Sequence, residues 1–424
     1  MHGTGRQSTN KSKNLIPNDQ NVNFRKLNVN LTGKTIEIIK ATVPIVEEKV
    51  IEFTKILYPI MFSRYPGLKV FFNQTHMRDG TQPRALAASI IEYANAIDNL
   101  DAIKPLVNGI AEKHASLNIK PVQYSIVTTC MLVAIGKILG EAGTSEVMGA
   151  WKEAVKNLAN MIIEVERKKY DETLAKEGGW KGYKKFTITN KRNESILITS
   201  FYLEPADGKV VATCKAGQYI SIMLDLPEGG TVFRNYSLSN SPNGKYHRIS
   251  VKREENGLVS NYLHDTLRQG DKIKVNPPYG SLCLNEADKP VVLISGGVGI
   301  TPMISILQDA SVKKLTRQIY FIHGTPDRNT HAFKDDVITL TSEHDNFNHQ
   351  FFYSRDSVKS ADTKEGRMTM NSIKEIIGHK KDAEFYICGP AQMMKGLYRE
   401  LIRWGVTPNN IVYEYFGPKM DITG

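Results

Sequence analysis

The stretch Ile103 to Tyr124, IKPLVNGIAEKHASLNIKPVQY, decides how the amino-terminal half of this chain is interpreted. Its apolar residues recur at steps of three and four, which predicts one face of a helix, and His114 lies on that face. A histidine on an apolar stripe is commonly a core residue bonded to a backbone carbonyl. It is also the group that haem iron takes as its fifth ligand. The sequence on either side has to decide between these two possibilities.

Helical patterns flank this stretch on both sides. The first apolar stripe covers residues 32–60, and the helical pattern pauses at Pro59 and again at 65–67. Further helices are predicted from Thr81, with Pro83 in the first turn, over 122–140 and over 144–176. Because no strand pattern interrupts residues 32–176, we predict an all-α domain over residues 31–177. The polar residues 1–30 before it are predicted to be a disordered tail.

Period-2 alternation begins after Gly178-Gly179-Trp180. Strands are predicted at 185–190, 196–204, 218–224, 234–238 and 248–253, which is typical of an antiparallel β-barrel over residues 181–286. From residue 289 the pattern changes again, because buried strands at 290–295, 318–323, 350–353, 384–388 and 411–416 alternate with helical stretches. That alternation predicts an α/β domain with a parallel sheet over residues 287–424.

Composition limits the classes of function. The chain has 424 residues and a net charge of +11, and five of these charges fall in the first 34 residues. No basic block alternates with aromatic residues, which argues against nucleic-acid binding. Four scattered cysteines without a CxxC pair argue against a zinc, iron–sulfur or disulfide framework. With no signal peptide or apolar membrane-spanning run recognised, we expect a cytoplasmic protein, and a monomer.

The barrel segment contains the string Arg234-Asn235-Tyr236-Ser237 on a predicted strand. The arginine fork matches a pyrophosphate, and such strings occur at the ring and phosphate edge of barrel flavin sites. Any surface strand can carry these residues, so the string gains weight only from Tyr219 and from the motif at Val298. A turn into a helix nearby could offer free N–H groups to phosphate oxygens, through Lys252, Gly257, Val259 and Ser260.

A glycine-rich loop follows the first apolar strand of the α/β segment and opens a helix: Gly297, Val298, Gly299, Ile300, Thr301 and Pro302. Its glycines let the backbone approach a dinucleotide's phosphates, although a tight turn alone would explain them. Cys388, Gly389 and Pro390 end a later strand at the same sheet edge, where Cys388 is either a ligand contact or a buried small residue. The closing residues Tyr415, Phe416, Gly417 and Pro418 either cover a flavin ring or fill the sheet edge.

These three motif sets, in this order, resemble the flavin and nicotinamide module of the ferredoxin-reductase type. Joined to the all-α half, residues 32–424 are similar to the flavohaemoglobin family. The resemblance implies a globin domain, an FAD barrel and an NAD(P) domain, with haem b, FAD, and NADH or NADPH as cofactors. Asn235 departs from the Gln that is frequent at that position, and the amino-terminal extension has no counterpart in short members.

The resemblance also assigns roles to residues of the helical half. His114 matches the proximal iron ligand, and Tyr124 and Glu166 match residues that hydrogen-bond towards it, which makes the ligand more electron-rich. A solvated helix face is the other explanation for Glu166. Further positions match those of the family around the haem and the flavin: Tyr58 and Gln82 in the distal pocket, Phe72 and Leu86 against the haem, Lys113 beside the ligand, and Glu414 near the flavin. Gln82 could alternatively be a helix-start residue.

The resemblance implies a nitric oxide dioxygenase in which NAD(P)H reduces FAD, FAD reduces haem, and NO and dioxygen become nitrate. O2, NO and NAD(P)H are then the partners. Two rivals stay open: a reductase of hydroperoxides or other acceptors, and an oxygen or NO sensor globin with an attached reductase. The choice between NADH and NADPH is not readable, although Arg328 is a candidate to meet a 2′-phosphate.

Overall fold

The computed structural model describes residues 31–99, 101–227, 230–357 and 360–417, except the side chain of Gln74. The predicted tail therefore lies outside the described residues. The helical half consists of α1 (Gly33–Glu48), α2 (Val50–Arg64), α3 (Gln74–Arg78), α4 (Thr81–Asn95), α5 (Lys104–Leu117), α6 (Pro121–Leu139) and α7 (Ser145–Ala175). The prediction that this half is all-α is confirmed.

One predicted break is wrong. The helix was expected to pause at Pro59, but α2 continues through Pro59 to Arg64, and the interruption lies at Lys49 between α1 and α2. A proline costs a helix one hydrogen bond. Here the buried side chains of Phe53, Leu57 and Met61 outweigh that cost, because they belong to the core of the helical domain.

The barrel contains strands β1 (Lys184–Asn193), β2 (Ile198–Pro205), β3 (Tyr219–Leu226), β4 (Gly230–Ser237), β5 (His247–Lys252) and β6 (Lys272–Val275), of which β6 was not predicted. Their order is β4-β3-β6-β1-β2-β5 with antiparallel pairing. The ends of this sheet meet where Leu238 bridges Ile249 and Ser239 N–H donates to Arg248 O at 2.8 Å. The short helix α8 (Leu258–Asn261) follows β5.

The carboxyl-terminal half is a parallel sheet in the order β10-β9-β8-β7-β11-β12. Its strands are β7 (Val291–Gly296), β8 (Ile319–Thr325), β9 (Phe347–Tyr353), β10 (Thr363–Glu365), β11 (Glu384–Cys388) and β12 (Ile411–Glu414), and its helices are α9 (Ile300–Val312), α10 (Lys334–Ser342), α11 (Met370–Ile376) and α12 (Ala391–Trp404). Strand β10 was not predicted, because three residues are too few to show a strand pattern in the sequence. Strand order reverses at β7, so the crevice beyond β7 and β11 is the position at which such sheets bind ligands.

The helical domain and the barrel each have a hydrophobic core. Three further barrel residues, Ile198, Ala216 and Leu282, pack into a core of the α/β domain together with β7 and α9. The segment Pro121–Ala142 is long and apolar enough to span a membrane by length and composition alone, and 39% of its most apolar part is buried inside the structure. This helix packs against α1, α2 and α7, so its apolar residues contribute to the core of the helical domain.

Candidate active site

Helix α5 holds His114 one turn before its end. The helix stops at Asn118, whose backbone is left-handed at φ 56°, and Ile119 N–H donates to His114 O at 3.1 Å. The His114 ring extends towards α6 and α7, where its Nδ1 lies 2.6 Å from the Tyr124 hydroxyl. Tyr124 in turn donates to Glu166 Oε1, an oxygen that lies 3.4 Å from His114 Nδ1. The structure therefore brings the three residues together.

The network leaves one ring nitrogen for a ligand. Because Nδ1 is held by Tyr124, Nε2 is the nitrogen available to a metal, and the carboxylate behind Tyr124 increases the electron density of the imidazole. Glu166 is 3% exposed, so a solvated helix face does not explain it. Burial, with the charge of Glu166, raises the pKa of Tyr124 above its usual range and keeps the hydroxyl protonated. These residues fit a haem iron.

Four more predicted haem-pocket residues lie in the same domain. The Tyr58 hydroxyl is buried and has no hydrogen-bond partner among the described residues, and burial raises its pKa. Its ring lies edge-on to Phe72 with centroids 5.7 Å apart. Gln82 Oε1 accepts from Asn73 N–H at 3.2 Å, so its amide nitrogen is the end that can donate to a ligand. Leu86 is partly buried against the core. Because buried hydroxyl groups normally have a hydrogen-bond partner, the Tyr58 hydroxyl fits a polar atom of a bound ligand.

The predicted flavin string forms the end of β4. Ser237 Oγ is buried without a partner among the described residues. The Arg234 guanidinium donates to the adjacent Phe233 O at 2.8 Å, and burial lowers the pKa of Arg234. Tyr236 is partly buried against the barrel core. An arginine without a carboxylate partner in the described part of the chain, on the same strand as a buried hydroxyl without a partner there, fits a phosphate-bearing group such as FAD.

The predicted phosphate turn is more ordinary. Ser260 Oγ donates to Gly257 O and accepts from Glu254 N–H, both at 3.1 Å, so this hydroxyl is already engaged. A Cβ on Gly257 would lie 2.5 Å from that oxygen, which explains the glycine locally. Val259 is buried at the start of α8, and Lys252 pairs with Glu254 at 2.9 Å. Cofactor binding at this turn remains a prediction.

The glycine-rich loop lies between β7 and α9 at the switch point of the sheet. Gly297 has a left-handed φ of +53°, and a Cβ on Gly299 would lie 2.3 Å from Cys388 O. Close approach to β11 thus explains Gly299, and the left-handed turn explains Gly297, so cofactor contact at this loop stays a prediction. Ile300 begins α9, Pro302 lies in its first turn, and Thr301 donates to Val298 O at 3.0 Å. Backbone N–H groups at this helix start fit the phosphates of a dinucleotide.

The other predicted residues of the α/β domain lie at or after the carboxyl ends of its parallel strands. Cys388 is fully buried at the end of β11, next to Gly389 and Pro390, and burial raises the pKa of its thiol well above the usual range. Tyr415, Phe416 and Gly417 follow β12, which pairs with β11. Pro418 lies outside the described residues. Arg328 is engaged by Asp356, with its Nε 3.3 Å and its backbone nitrogen 2.9 Å from Oδ2.

Charged residues from two domains meet between helix α5 and residues 414–417. Lys113 Nζ donates to Gly417 O at 3.4 Å, and burial lowers the pKa of Lys113. Glu414 Oε2 is buried without a partner in the described part of the chain, and burial, reinforced by the charge of Glu112, raises the pKa of Glu414 to about 8. At neutral pH this carboxyl therefore favours its protonated form and can donate a hydrogen bond.

Sequence reasoning missed the residues that join the helical half to the barrel. Glu112 binds Lys169 Nζ at 2.5 Å and accepts from Gly280 N–H at 2.9 Å. Asn276 donates to the carbonyls of Ala115 and Ser116. Contacts between residues 160 or more positions apart leave no local pattern in the sequence. The sequence offered one hint of this interface, namely that Glu112 and Ser116 are polar residues two positions before and after His114.

Three family models match this chain in order. Residues 55–162 match the globin family, residues 185–283 the oxidoreductase FAD-binding domain, and residues 293–398 the oxidoreductase NAD-binding domain. The three matches agree with the sequence of one all-α, one barrel and one α/β domain. The cofactors predicted from the sequence, haem, FAD and a nicotinamide dinucleotide, follow from the same three domains.

Relatives match over nearly the full length. The chain is 42% identical over 400 residues to the flavohemoprotein of Halalkalibacterium halodurans, which covers 92% of this chain and 97% of the relative. It is 41% identical over 382 residues to that of Pseudomonas aeruginosa, covering 90% and 96%. A crystal structure of a Malassezia yamatoensis flavohemoglobin with bound FAD and heme superposes with a TM-score of 0.82 at 27% identity, covering 91% of this chain and 100% of that one. The FAD/NAD-binding domain of a Vibrio cholerae nitric oxide dioxygenase gives 0.51 at 36% identity, covering 55% and 99%.

Proposed function

The chain belongs to the flavohemoprotein family, an oxidoreductase family whose domains support NAD(P)H-driven haem reduction, and from that premise we propose that it is a nitric oxide dioxygenase. In the net reaction, two NO and two dioxygen become two nitrate ions while one NAD(P)H is oxidised to NAD(P)+ and a proton. A structural relative whose name includes nitric oxide dioxygenase supports this activity. We propose the cytoplasm as its location.

The observation that carries the proposal is the network of His114, Tyr124 and Glu166. A storage globin needs iron that oxidises slowly, whereas a carboxylate acting through Tyr124 on the proximal imidazole stabilises higher-valent iron and favours turnover. When bound, the haem, FAD and nicotinamide supply the electron transfer and oxygen chemistry. The chain contributes orientation and electrostatics around them.

The distal side supplies hydrogen bonds. We propose that the Tyr58 hydroxyl, which lacks a partner among the described residues, and the Gln82 amide donate to the bound substrate and stabilise negative charge that develops on it. Because burial raises the pKa of Tyr58, the hydroxyl keeps its proton across the physiological range. We propose that Phe72, whose ring lies edge-on to Tyr58, and the partly buried Leu86 exclude water from the same pocket.

The test is NADH- or NADPH-driven NO consumption with nitrate measured. We expect nitrate to match the NO consumed over many turnovers, and Tyr58→Phe to slow turnover and to speed oxygen dissociation. The oxygen-dissociation rate should rise about five- to twelvefold, since one buried hydrogen bond contributes about 1–1.5 kcal/mol. Loss of only one equivalent of NO per chain would favour a sensor or store. An unchanged oxygen-dissociation rate would refute the role of Tyr58.

A further inference from the structure

Helix α5, which carries the proposed iron ligand, ends against the barrel. The last carbonyls of a helix have no donor within it. Two of them are satisfied locally, because Asn118 N–H donates to Ala115 O at 3.0 Å and Ile119 N–H donates to His114 O at 3.1 Å. The carbonyl of Ser116 is not reached by these two bonds and points to a group outside the helix.

That group is the side chain of Asn276, from the segment that follows β6. Asn276 Nδ2 donates to Ala115 O at 2.8 Å and to Ser116 O at 2.5 Å, and the residue is fully buried. Its backbone is fixed in the barrel, because its N–H donates to Ser221 O in β3 at 2.8 Å and Pro277 restricts the preceding residue to extended conformations. One amide therefore caps the helix of His114 from another domain.

The same helical turn touches the strands predicted to hold the flavin. Ser116 Oγ accepts from Asn235 Nδ2 at 3.4 Å, and Asn235 lies between Arg234 and Tyr236 on β4. Helix α5 also packs against β3, the strand that carries Tyr219. Any shift of this turn relative to the barrel therefore changes the distance and angle between the flavin site and the residue that holds the iron.

We propose that Asn276 is a positioning residue that fixes the flavin-binding barrel against the helix of His114 and thereby sets the rate at which reduced FAD passes an electron to ferric haem. A packing role alone is a poor explanation, because Asn276 Oδ1 is buried without a partner among the described residues. An apolar side chain of similar shape would avoid that unsatisfied acceptor. The inference rests on NAD(P)H-driven haem reduction and not on the NO chemistry.

The experiment compares the full-length holoenzyme with its Asn276→Ala variant by anaerobic stopped-flow after mixing with NADH. We expect flavin reduction to stay within about twofold and haem reduction to slow roughly tenfold, as losing about 1.4 kcal/mol of docking would do. Reduction of a soluble one-electron acceptor by the flavin should be unchanged. Backbone hydrogen exchange at Asn118 and Ile119 should become faster, and this readout needs no electron transfer.

Asn346→Ala is the matched control. Asn346 Nδ2 also bridges two carbonyls, those of Leu315 at 2.8 Å and Arg317 at 2.7 Å, but within the α/β half. This variant should leave both electron-transfer rates unchanged. If Asn276→Ala does not fold, Asn276→Ser, which keeps one donor, should give an intermediate rate of haem reduction. Haem reduction at the wild-type rate in both Asn276 variants, or an equal slowing of flavin and haem reduction, would overturn the proposal. NO turnover can fail independently of either result.

Discussion

Glu414→Gln gives the sharpest test of the electrostatics where the helical domain, the barrel and the α/β domain meet. Glu414 pairs in register with Cys388 at the carboxyl end of the parallel sheet, and its Oε2 is buried without a partner in the described part of the chain. Burial is the main cause of its raised pKa and the charge of Glu112 is the second. The rise is from 4.5 to about 8. Glutamine mimics the protonated carboxyl in shape and cannot ionise.

The sign follows from proton linkage. Between pH 4.5 and about 8 the folded protein keeps a proton that the unfolded chain releases, so the free energy of unfolding falls as pH rises through this window. At about 1.4 kcal/mol per pH unit, the full window corresponds to at most about 5 kcal/mol. We therefore expect Glu414→Gln and wild type to keep a constant difference below pH 4.5. The variant should gain relative stability up to about pH 8 and level off above it.

The assay is urea unfolding of the FAD-loaded protein at several pH values, followed by the flavin fluorescence that appears on release. An infrared band of a protonated carboxyl near neutral pH, absent from Glu414→Gln, is the second readout. Glu365→Gln is the control, because Glu365 is exposed at the end of β10. Parallel stability curves for Glu414→Gln and wild type from about pH 5 to about pH 9 would refute the reasoning.

Two further predictions concern buried polar pairs. Tyr124→Phe removes the donor to Glu166 and the partner of His114 Nδ1. The reduction potential of bound haem should therefore rise by roughly 60 mV, which is the one-electron equivalent of a tenfold change in equilibrium constant. Spectroelectrochemical titration measures this potential, and an unchanged potential would contradict the proposed electron donation. Arg317 Nη1 lies 3.3 Å from Oε2 of Glu384, a residue that is 3% exposed. Arg317→Met leaves that carboxylate as a buried charge without an oppositely charged partner, so the free energy of unfolding measured by urea titration should fall by about 3–5 kcal/mol. A double variant with Glu384→Leu should recover most of that loss, and a loss that the second change does not repair would count against the pairing.

The helices around His114 and the alternation of strands were readable from the sequence because side-chain periodicity is a local property. Steps of three and four placed His114 on the buried face of α5, and period-2 patterns located five of the six barrel strands. The missed strand β6 is four residues long, too short to establish a period. The pause predicted at Pro59 was wrong because a local rule about proline competed with burial of α2 in the core.

By itself the sequence determined the three-domain order, since this depends on periodicity and on motifs contiguous in the chain. The residues predicted for haem came mainly from the resemblance to the flavohaemoglobin family. Only the tertiary structure decided that Glu166 is buried behind Tyr124 and does not lie on a solvated helix face. It alone showed that the Glu414 carboxyl is buried without a partner among the described residues, and that Asn276 reaches the helix of His114. The physical reason is that desolvation and hydrogen bonding act across space, between residues whose separation in the chain carries no record of the contact.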